Sequence, residues 1–180
     1  MIYFTSDSHF NHVNILSYCP RPWATVVEMN EALIQNWNQV VKPEDIVYHL
    51  GDFAMGDRKQ IPTILSRLNG HIILVRGNHD TSKSLVYFPE VHDHLILEMD
   101  GHRFEVSHNP GHLRQDCEFA LCGHVHNQWT KRDVGQTIEA DVSSDHRYQH
   151  PQIVPTIPIY NVGVDVRGYR PRSLSEIIDI

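Results

Sequence analysis

Five short polar clusters in this sequence contain residue types that bind divalent metal ions. They are Asp7-x-His9, Gly51-Asp52, Gly77-Asn78-His79-Asp80, Ser107-His108 and Gly123-His124-x-His126. Each cluster alone is a weak signal, because Gly, Asn and Asp also favour turns. Together they include three carboxylates, an amide oxygen and five imidazoles, of which two carboxylates, the amide and four imidazoles suffice as ligands. That set is large enough to hold two cations about 3.5–4 Å apart.

Two cations at that spacing need one ligand that bridges them, and a carboxylate suits this role because it has two oxygens. Asp52 lies in the middle of the series of clusters and is the natural bridge. Mixed nitrogen and oxygen ligands without thiolate favour Mn, Fe, Co, Ni or Zn over Ca. The 14 histidines of the chain fit such a site.

The elements that must position these clusters are predicted by the apolar pattern of the first half. Residues 2–5, 45–52 and 71–75 are short apolar runs typical of buried strands. A capping-box spacing from Thr25 to Glu28 predicts a helix up to Pro43, and residues 61–68 predict another. Alternating strands and helices indicate a layered α/β fold with parallel strands. Ligand sites in such folds lie beyond the carboxyl ends of the strands, where the clusters fall.

The second half of the chain has a different pattern. Residues 94–108 are two alternating runs around Asp100-Gly101, which predicts a β-hairpin. Further strands are expected over 118–126 and 157–166, and a short helix or strand over 174–178. Residues 133–156 are polar and irregular, so we expect a long surface excursion there. No repeat or linker divides the chain, and we predict one domain over residues 1–180.

Composition limits the class of protein. The net charge of −7 argues against a broad basic surface for nucleic acid, although a nucleotide substrate remains compatible with bound cations. The three cysteines form no disulfide framework, which suggests a reducing compartment. The sequence has no signal peptide or membrane-spanning run. We therefore expect a cytoplasmic protein without a membrane partner, and the oligomeric state stays open.

The order and spacing of the five clusters resemble the calcineurin-like metallophosphoesterase superfamily. The closing stretch NVGVDVRGYRPRSLSEI, residues 161–177, also resembles small bacterial and phage-encoded members. This resemblance implies an α/β fold, a four-layer α/β/β/α sandwich with two mixed β-sheets. The metals would lie at one edge of the two sheets.

The resemblance also implies a role for each cluster residue. One metal would be held by Asp7, His9, Asp52 and His126, and the other by Asp52, Asn78, His108 and His124. A hydroxide that bridges two such metals can attack a phosphoryl group at neutral pH. His79 would then protonate the leaving group, with Asp80 orienting its ring. His12, Arg21 and His112 are the expected substrate contacts.

Several functions fit this interpretation. The leading hypothesis is a phosphodiesterase that acts on a small phosphoester, with nucleotide-type and cyclic-nucleotide substrates both open. A phosphomonoesterase is the alternative, because the same metals serve both reactions. A non-catalytic metal-binding scaffold is disfavoured, since all seven expected ligands and His79 are present. The remaining loop histidines, His146 and His150, fall in the 133–156 excursion, which could cap the cleft.

Overall fold

The computed structural model describes residues 1–139 and 152–179. Two five-stranded sheets and a separate two-stranded sheet make up its β-structure. The strands are β1 (Ile2–Thr5), β2 (Ile46–His49), β3 (His71–Val75), β4 (Val91–His92), β5 (Leu95–Met99), β6 (His102–Val106), β7 (Phe119–Cys122), β8 (Lys131–Arg132), β9 (Ile138–Glu139), β10 (Gln152–Ile153), β11 (Ile159–Asn161) and β12 (Arg172–Ser173). The α-helices are α1 (Ile15–Tyr18), α2 (Val26–Val40), α3 (Ile61–Leu65), α4 (Ser82–Leu85) and α5 (Leu174–Ile178). Short 3-10 helices span Arg58–Gln60, Pro110–His112 and Val164–Val166.

The first sheet has the strand order β12-β1-β2-β3-β4. Strands β1 to β4 are parallel, and β12 pairs antiparallel with β1. Helix α2 connects β1 to β2 and begins at the expected capping box, in which Thr25 and Glu28 bond each other's backbone. The apolar face of α2 is buried through Met29, Leu33 and Trp37. The alternation of strand and helix expected for the first half is confirmed.

The second sheet has the strand order β5-β6-β7-β11-β8. Strands β5 and β6 form the expected antiparallel hairpin, whose turn residues Asp100 and Gly101 have φ values of 53° and 82°. Positive φ at both positions is the signature of a type I′ turn. Strand β7 is parallel to both β6 and β11, so this sheet is mixed. The α/β class with two mixed sheets is therefore confirmed.

The apolar core lies in layers around these sheets. Phe4, Leu50 and Val75 of the first sheet region share one core with Phe104 and Leu121 of the second. Helices α2 and α3 contribute to a second core, which contains Val47, Ile72 and Leu74 from β2 and β3. A third core lies against the other face of the second sheet, at Ala120, Cys122 and Ile159. Within the described residues, that face is covered by apolar side chains of loops and of β9, namely Leu113, Val125, Trp129 and Ile138.

Two expected elements are shorter in the structure, and the type of a third is now defined. The strand expected over 157–166 ends at Asn161, because the Asn161 side chain accepts a hydrogen bond from the Gly163 N–H and closes a turn. The helix expected over 61–68 ends as α-helix at Leu65. The closing segment is the helix α5, which begins at a capping box between Ser173 and Glu176.

The excursion over residues 133–156 is only partly described. Strands β9 and β10 pair antiparallel near its two ends. Residues 140–151, with His146 and His150, lie outside the described residues. Within residues 1–139 and 152–179, no helix combines the length and the apolar character that crossing a bilayer requires.

Candidate metal centre

The five polar clusters meet at one edge of the two sheets. Each follows a strand: Asp7 comes after β1, Asp52 after β2, Asn78 after β3, His108 after β6 and His124 after β7. Because parallel strands end on the same side of a sheet, these loops converge at one place. All seven expected ligands lie in this cluster, which we call the metal centre.

One group in the metal centre is arranged around His9. Its Nε2 atom lies 3.6 Å from Oδ2 of Asp52 and 4.0 Å from Oδ1 of Asp7. Oδ1 of Asp7 is also 3.9 Å from Nε2 of His126. The ligand atoms of Asp7, His9 and His126 lie within 4.8 Å of one another. A single cation can therefore contact all of them.

A second group is arranged around Asn78. Its Oδ1 atom lies 2.9 Å from Nε2 of His108 and 3.0 Å from Nδ1 of His124. Nε2 of His108 is also 3.5 Å from Oδ2 of Asp52. The same carboxylate oxygen thus faces both groups, as a bridging ligand must.

The first group of donor atoms fits a divalent transition metal, because three of its residues are buried and one of their nitrogens has no hydrogen-bond partner. Asp7, His9 and Asp52 are 0%, 1% and 2% exposed. Nε2 of His9 is buried without a hydrogen-bond partner, although it points at two carboxylates. A buried nitrogen of this kind is costly unless something binds it.

Charge in the centre also favours a cation. Burial raises the pKa of Asp52, and the neighbouring Asp7 carboxylate raises it further. Burial also opposes ionisation of Asp7, but the imidazoles of His126 and His108, with the hydrogen bond from Ser6, outweigh it and lower the pKa of that carboxyl. Burial lowers the pKa of His9 well below its usual range, so its imidazole is neutral and able to bind a metal.

The backbone of the metal centre is strained. Five of the candidate ligands have φ in the left-handed region that side chains other than Gly seldom adopt: Asp7 (56°), His9 (49°), Asp52 (56°), His124 (71°) and His126 (47°). Such residues cost on the order of 1–3 kcal/mol each and persist where the surroundings enforce them. Their concentration here is typical of a functional site.

Gly77 and Gly123 let two loops approach the acidic ligands closely. A Cβ atom on Gly77 would lie 2.3 Å from Oδ1 and 2.5 Å from the backbone N of Asp52. A Cβ atom on Gly123 would lie 2.6 Å from Oδ2 of Asp7. The φ of Gly77 is not in the positive range, so no backbone strain requires a glycine there. Its role is to leave room for Asp52.

His79 lies at the mouth of the metal centre. Its side chain is 43% exposed, and Nε2 lies 3.9 Å from Oδ2 of Asp52. Asp80 does not hold this ring, contrary to our expectation. Its buried carboxylate accepts hydrogen bonds from three backbone N–H groups, those of Asp52, Phe53 and Gly77. Asp80 therefore joins the loops after β2 and β3 to each other, and its described contacts do not include the His79 ring.

The three expected substrate contacts have different positions. His12 is partly buried beside the centre, with Nδ1 3.3 Å from Nδ1 of His9. His112 is exposed on the 3-10 helix after His108, and none of its described contacts joins it to the centre. Arg21 is buried beneath the centre, and its guanidinium donates to Asp165 and to the backbone carbonyls of Asp7 and Ser8. With its donors engaged in this way, Arg21 is not available to a substrate.

Comparison with known proteins agrees with this geometry. The model of the calcineurin-like phosphoesterase superfamily domain matches residues 1–140. The chain belongs to this superfamily. Candidate metal ligands in this calcineurin-like phosphoesterase thus occur where the fold brings the loops together, and the family implies divalent metal ions.

Relatives of this phosphoesterase domain match nearly all of the chain. An uncharacterized protein of Methanocaldococcus jannaschii is 37% identical over 181 residues, which cover 99% of this chain and 90% of that protein. The Gene 66 protein of Mycobacterium phage L5 is 29% identical, with 99% and 92% covered. A crystal structure of a protein of unknown function from Aquifex aeolicus superimposes with a TM-score of 0.71 at 32% identity, covering 99% of this chain and 98% of the other.

Asp165 is one of two residues beside the centre that the sequence did not indicate. Its Oδ2 atom lies 3.0 Å from Nδ1 of His126, and it pairs with Arg21. The alternating run around it predicts a strand, in which Asp165 is an ordinary polar residue. Asn161 was missed for the same reason, although its amide donates to the backbone carbonyls of His126 and Trp129. Both residues lie beyond the part of the chain that the family model matches.

Proposed function

We propose that this protein is a dinuclear metal-dependent phosphoesterase that hydrolyses phosphodiesters in preference to phosphomonoesters. The observation that carries the proposal is the position of Oδ2 of Asp52. It lies 3.6 Å from Nε2 of His9 in one group of ligands and 3.5 Å from Nε2 of His108 in the other. A carboxylate oxygen shared in this way supports two adjacent cations rather than one.

Two bound cations neutralise the charge of a phosphoryl group and activate water for attack at neutral pH. His79 supplies what the cations do not, a proton for the leaving alkoxide. Its ring lies at the exposed mouth of the centre, where a substrate enters, and its Nε2 atom faces the bridging side of Asp52. Its backbone N–H donates to Oδ1 of Asp52 at 2.9 Å, which fixes the position of the histidine relative to that ligand.

The preference for a diester follows from the charges around the centre. A phosphomonoester carries close to two negative charges at neutral pH, and a diester carries one. Arg21 is the arginine whose described contacts reach the ligand loops, and its charge is already paired with Asp165. The other side chains at the mouth, His12 and His79, are imidazoles. Within the described residues, no unpaired guanidinium or ammonium group is seen to contact the ligand loops, which suits the less charged ester.

The test is a comparison of two synthetic substrates with protein loaded separately with Mn²⁺, Fe²⁺, Co²⁺, Ni²⁺ or Zn²⁺. We expect hydrolysis of bis-p-nitrophenyl phosphate to exceed that of p-nitrophenyl phosphate. The variant His79→Asn should keep two metals per chain while kcat falls by about 10²–10⁴-fold, the usual contribution of a general acid. The matched control is His71→Asn, because His71 is 55% exposed and lies at the opposite end of β3.

Each part of the proposal has its own refutation. Protein that takes up fewer than two divalent ions contradicts the dinuclear centre. Faster hydrolysis of the monoester contradicts the diester preference. Full activity in His79→Asn contradicts the role of that histidine.

A further inference from the structure

We propose that Arg21 and Asp165 form a positioning pair, which orients His126 toward the first group of ligands and holds the Asp7–Ser8 backbone beside it. The inference rests on the proposed function, because it assigns the pair a role in binding one of the two metals. Neither residue belongs to the ligand set that the family pattern implies.

The first step is the contact between Asp165 and His126. Nδ1 of His126 donates to Oδ2 of Asp165 at 3.0 Å, and the opposite ring nitrogen faces Oδ1 of Asp7 at 3.9 Å. A carboxylate that holds one N–H of a metal-binding imidazole fixes the tautomer and the ring orientation, and it makes the other nitrogen a better ligand. The geometry gives Asp165 this function.

The second step is the bidentate pair that holds Asp165 itself. Nε and Nη2 of Arg21 donate to its two carboxylate oxygens at 2.8 Å and 3.0 Å. The two side chains are 0% and 2% exposed, so water does not compete for these bonds. A planar guanidinium matches a carboxylate in a way that an ammonium group cannot.

The third step links this pair to the ligand loop after β1. Nη1 of Arg21 donates to the carbonyl of Ser8 at 2.9 Å, and Nη2 donates to the carbonyl of Asp7 at 2.7 Å. One arginine thus joins the Asp7–Ser8 peptide to Asp165, and Asp165 is 144 residues from Arg21 in the sequence. The ligands Asp7 and His126 are set relative to each other through this pair.

The described side-chain contacts of the pair lie with the first group of ligands. The described hydrogen bonds of Arg21 and Asp165 do not reach Asn78, His108 or His124, and His108 is instead held by the Leu50 carbonyl at 2.6 Å. Loss of the pair should therefore weaken one metal position and spare the other. A general structural role would affect both alike.

The experiment is a metal titration of full-length Asp165→Asn with Zn²⁺ in competition with a chelator. We expect one of the two ions to bind about 10–100-fold more weakly, the usual effect of losing such a partner of a metal-bound histidine, and the other to bind as in wild type. In ¹⁵N NMR, zinc-loaded wild type should show the Nδ1–H signal of His126, and zinc-loaded Asp165→Asn should lack it. The matched control is Asp93→Asn, since Asp93 pairs with Arg76 at 2.8 Å on the surface, where the side chains are 73% and 48% exposed.

A second variant keeps the test decisive if Asp165→Asn does not fold. Arg21→Lys retains the positive charge but loses the planar guanidinium that makes the bidentate pair. It should weaken the binding of the same ion while the circular dichroism spectrum stays that of wild type. If each folded variant bound both ions with the affinities of wild type, the inference would be overturned. Failure of the proposed function shows differently, as wild-type protein that does not bind two ions.

Discussion

The substitution Gly77→Ala should disable the metal centre through a single methyl group. The added Cβ would lie 2.3 Å from Oδ1 and 2.5 Å from the backbone N of Asp52, whereas ordinary contacts are 3.4–4 Å. Relief of this overlap requires a movement of about 1 Å. Because one of the clashing atoms belongs to the backbone, a rotamer change of Asp52 cannot supply all of that movement.

The expected magnitude follows from this displacement. A misplacement of about 1 Å at a reacting group costs on the order of 10²-fold in rate. Overpacking of a buried position costs about 1–3 kcal/mol, which corresponds to a decrease in Tm of about 2–12 °C for a chain of this size. We therefore expect Gly77→Ala to fold, to melt earlier and to hydrolyse bis-p-nitrophenyl phosphate about 10²-fold more slowly.

Differential scanning fluorimetry measures the decrease in Tm, the hydrolysis assay measures the rate, and isothermal titration with Mn²⁺ measures whether the movement of Asp52 weakens metal binding. The control is Gly101→Ala in the β5–β6 turn, where an added Cβ has no neighbour within 4 Å but φ is +82°. This control should lose stability through backbone strain and keep wild-type activity. Hydrolysis and metal affinity within twofold of wild type in Gly77→Ala would refute the reasoning.

Three further predictions concern stability. Asp80→Asn should lower the free energy of unfolding by about 1–3 kcal/mol, since an amide cannot accept all three backbone hydrogen bonds; urea denaturation checks this, and an unchanged midpoint would contradict it. Phe104→Ala should lower the free energy of unfolding by about 3–5 kcal/mol, because the ring is fully buried and stacked on Phe119 at 5.0 Å, and its removal creates a cavity. The metal stoichiometry of this variant should stay that of wild type. Thr25→Ala should cost about 0.5–2 kcal/mol through the lost cap of α2, and a Tm equal to that of wild type would show that the cap is not needed.

Much of the metal centre could be predicted because its residues follow strands. An apolar run that ends in Asp7, Asp52 or His124 shows both the strand and the residue at its carboxyl end. Parallel strands then bring these ends together without further information. For the same reason the strands over residues 2–5 and 71–75 agree with the structure to the residue.

The contacts that the sequence did not predict are long-range or depend on side-chain direction. Asp165 reaches His126 across 39 residues and Arg21 across 144, and no local pattern records such separations. Asp80 follows His79 directly, which suggested that the two side chains touch. In the folded loop the Asp80 carboxylate instead accepts hydrogen bonds from the backbone N–H groups of Asp52 and Gly77.

The left-handed backbone at the candidate metal ligands implies a trade-off between activity and thermal stability. At His124, with φ of 71°, glycine would adopt the same conformation without the steric penalty that a side chain incurs. A laboratory selection for heat resistance alone would therefore favour such replacements at these candidate metal ligands. Selections on this chain should be run with substrate hydrolysis as a second criterion, because five of the residues with positive φ are also candidate metal ligands.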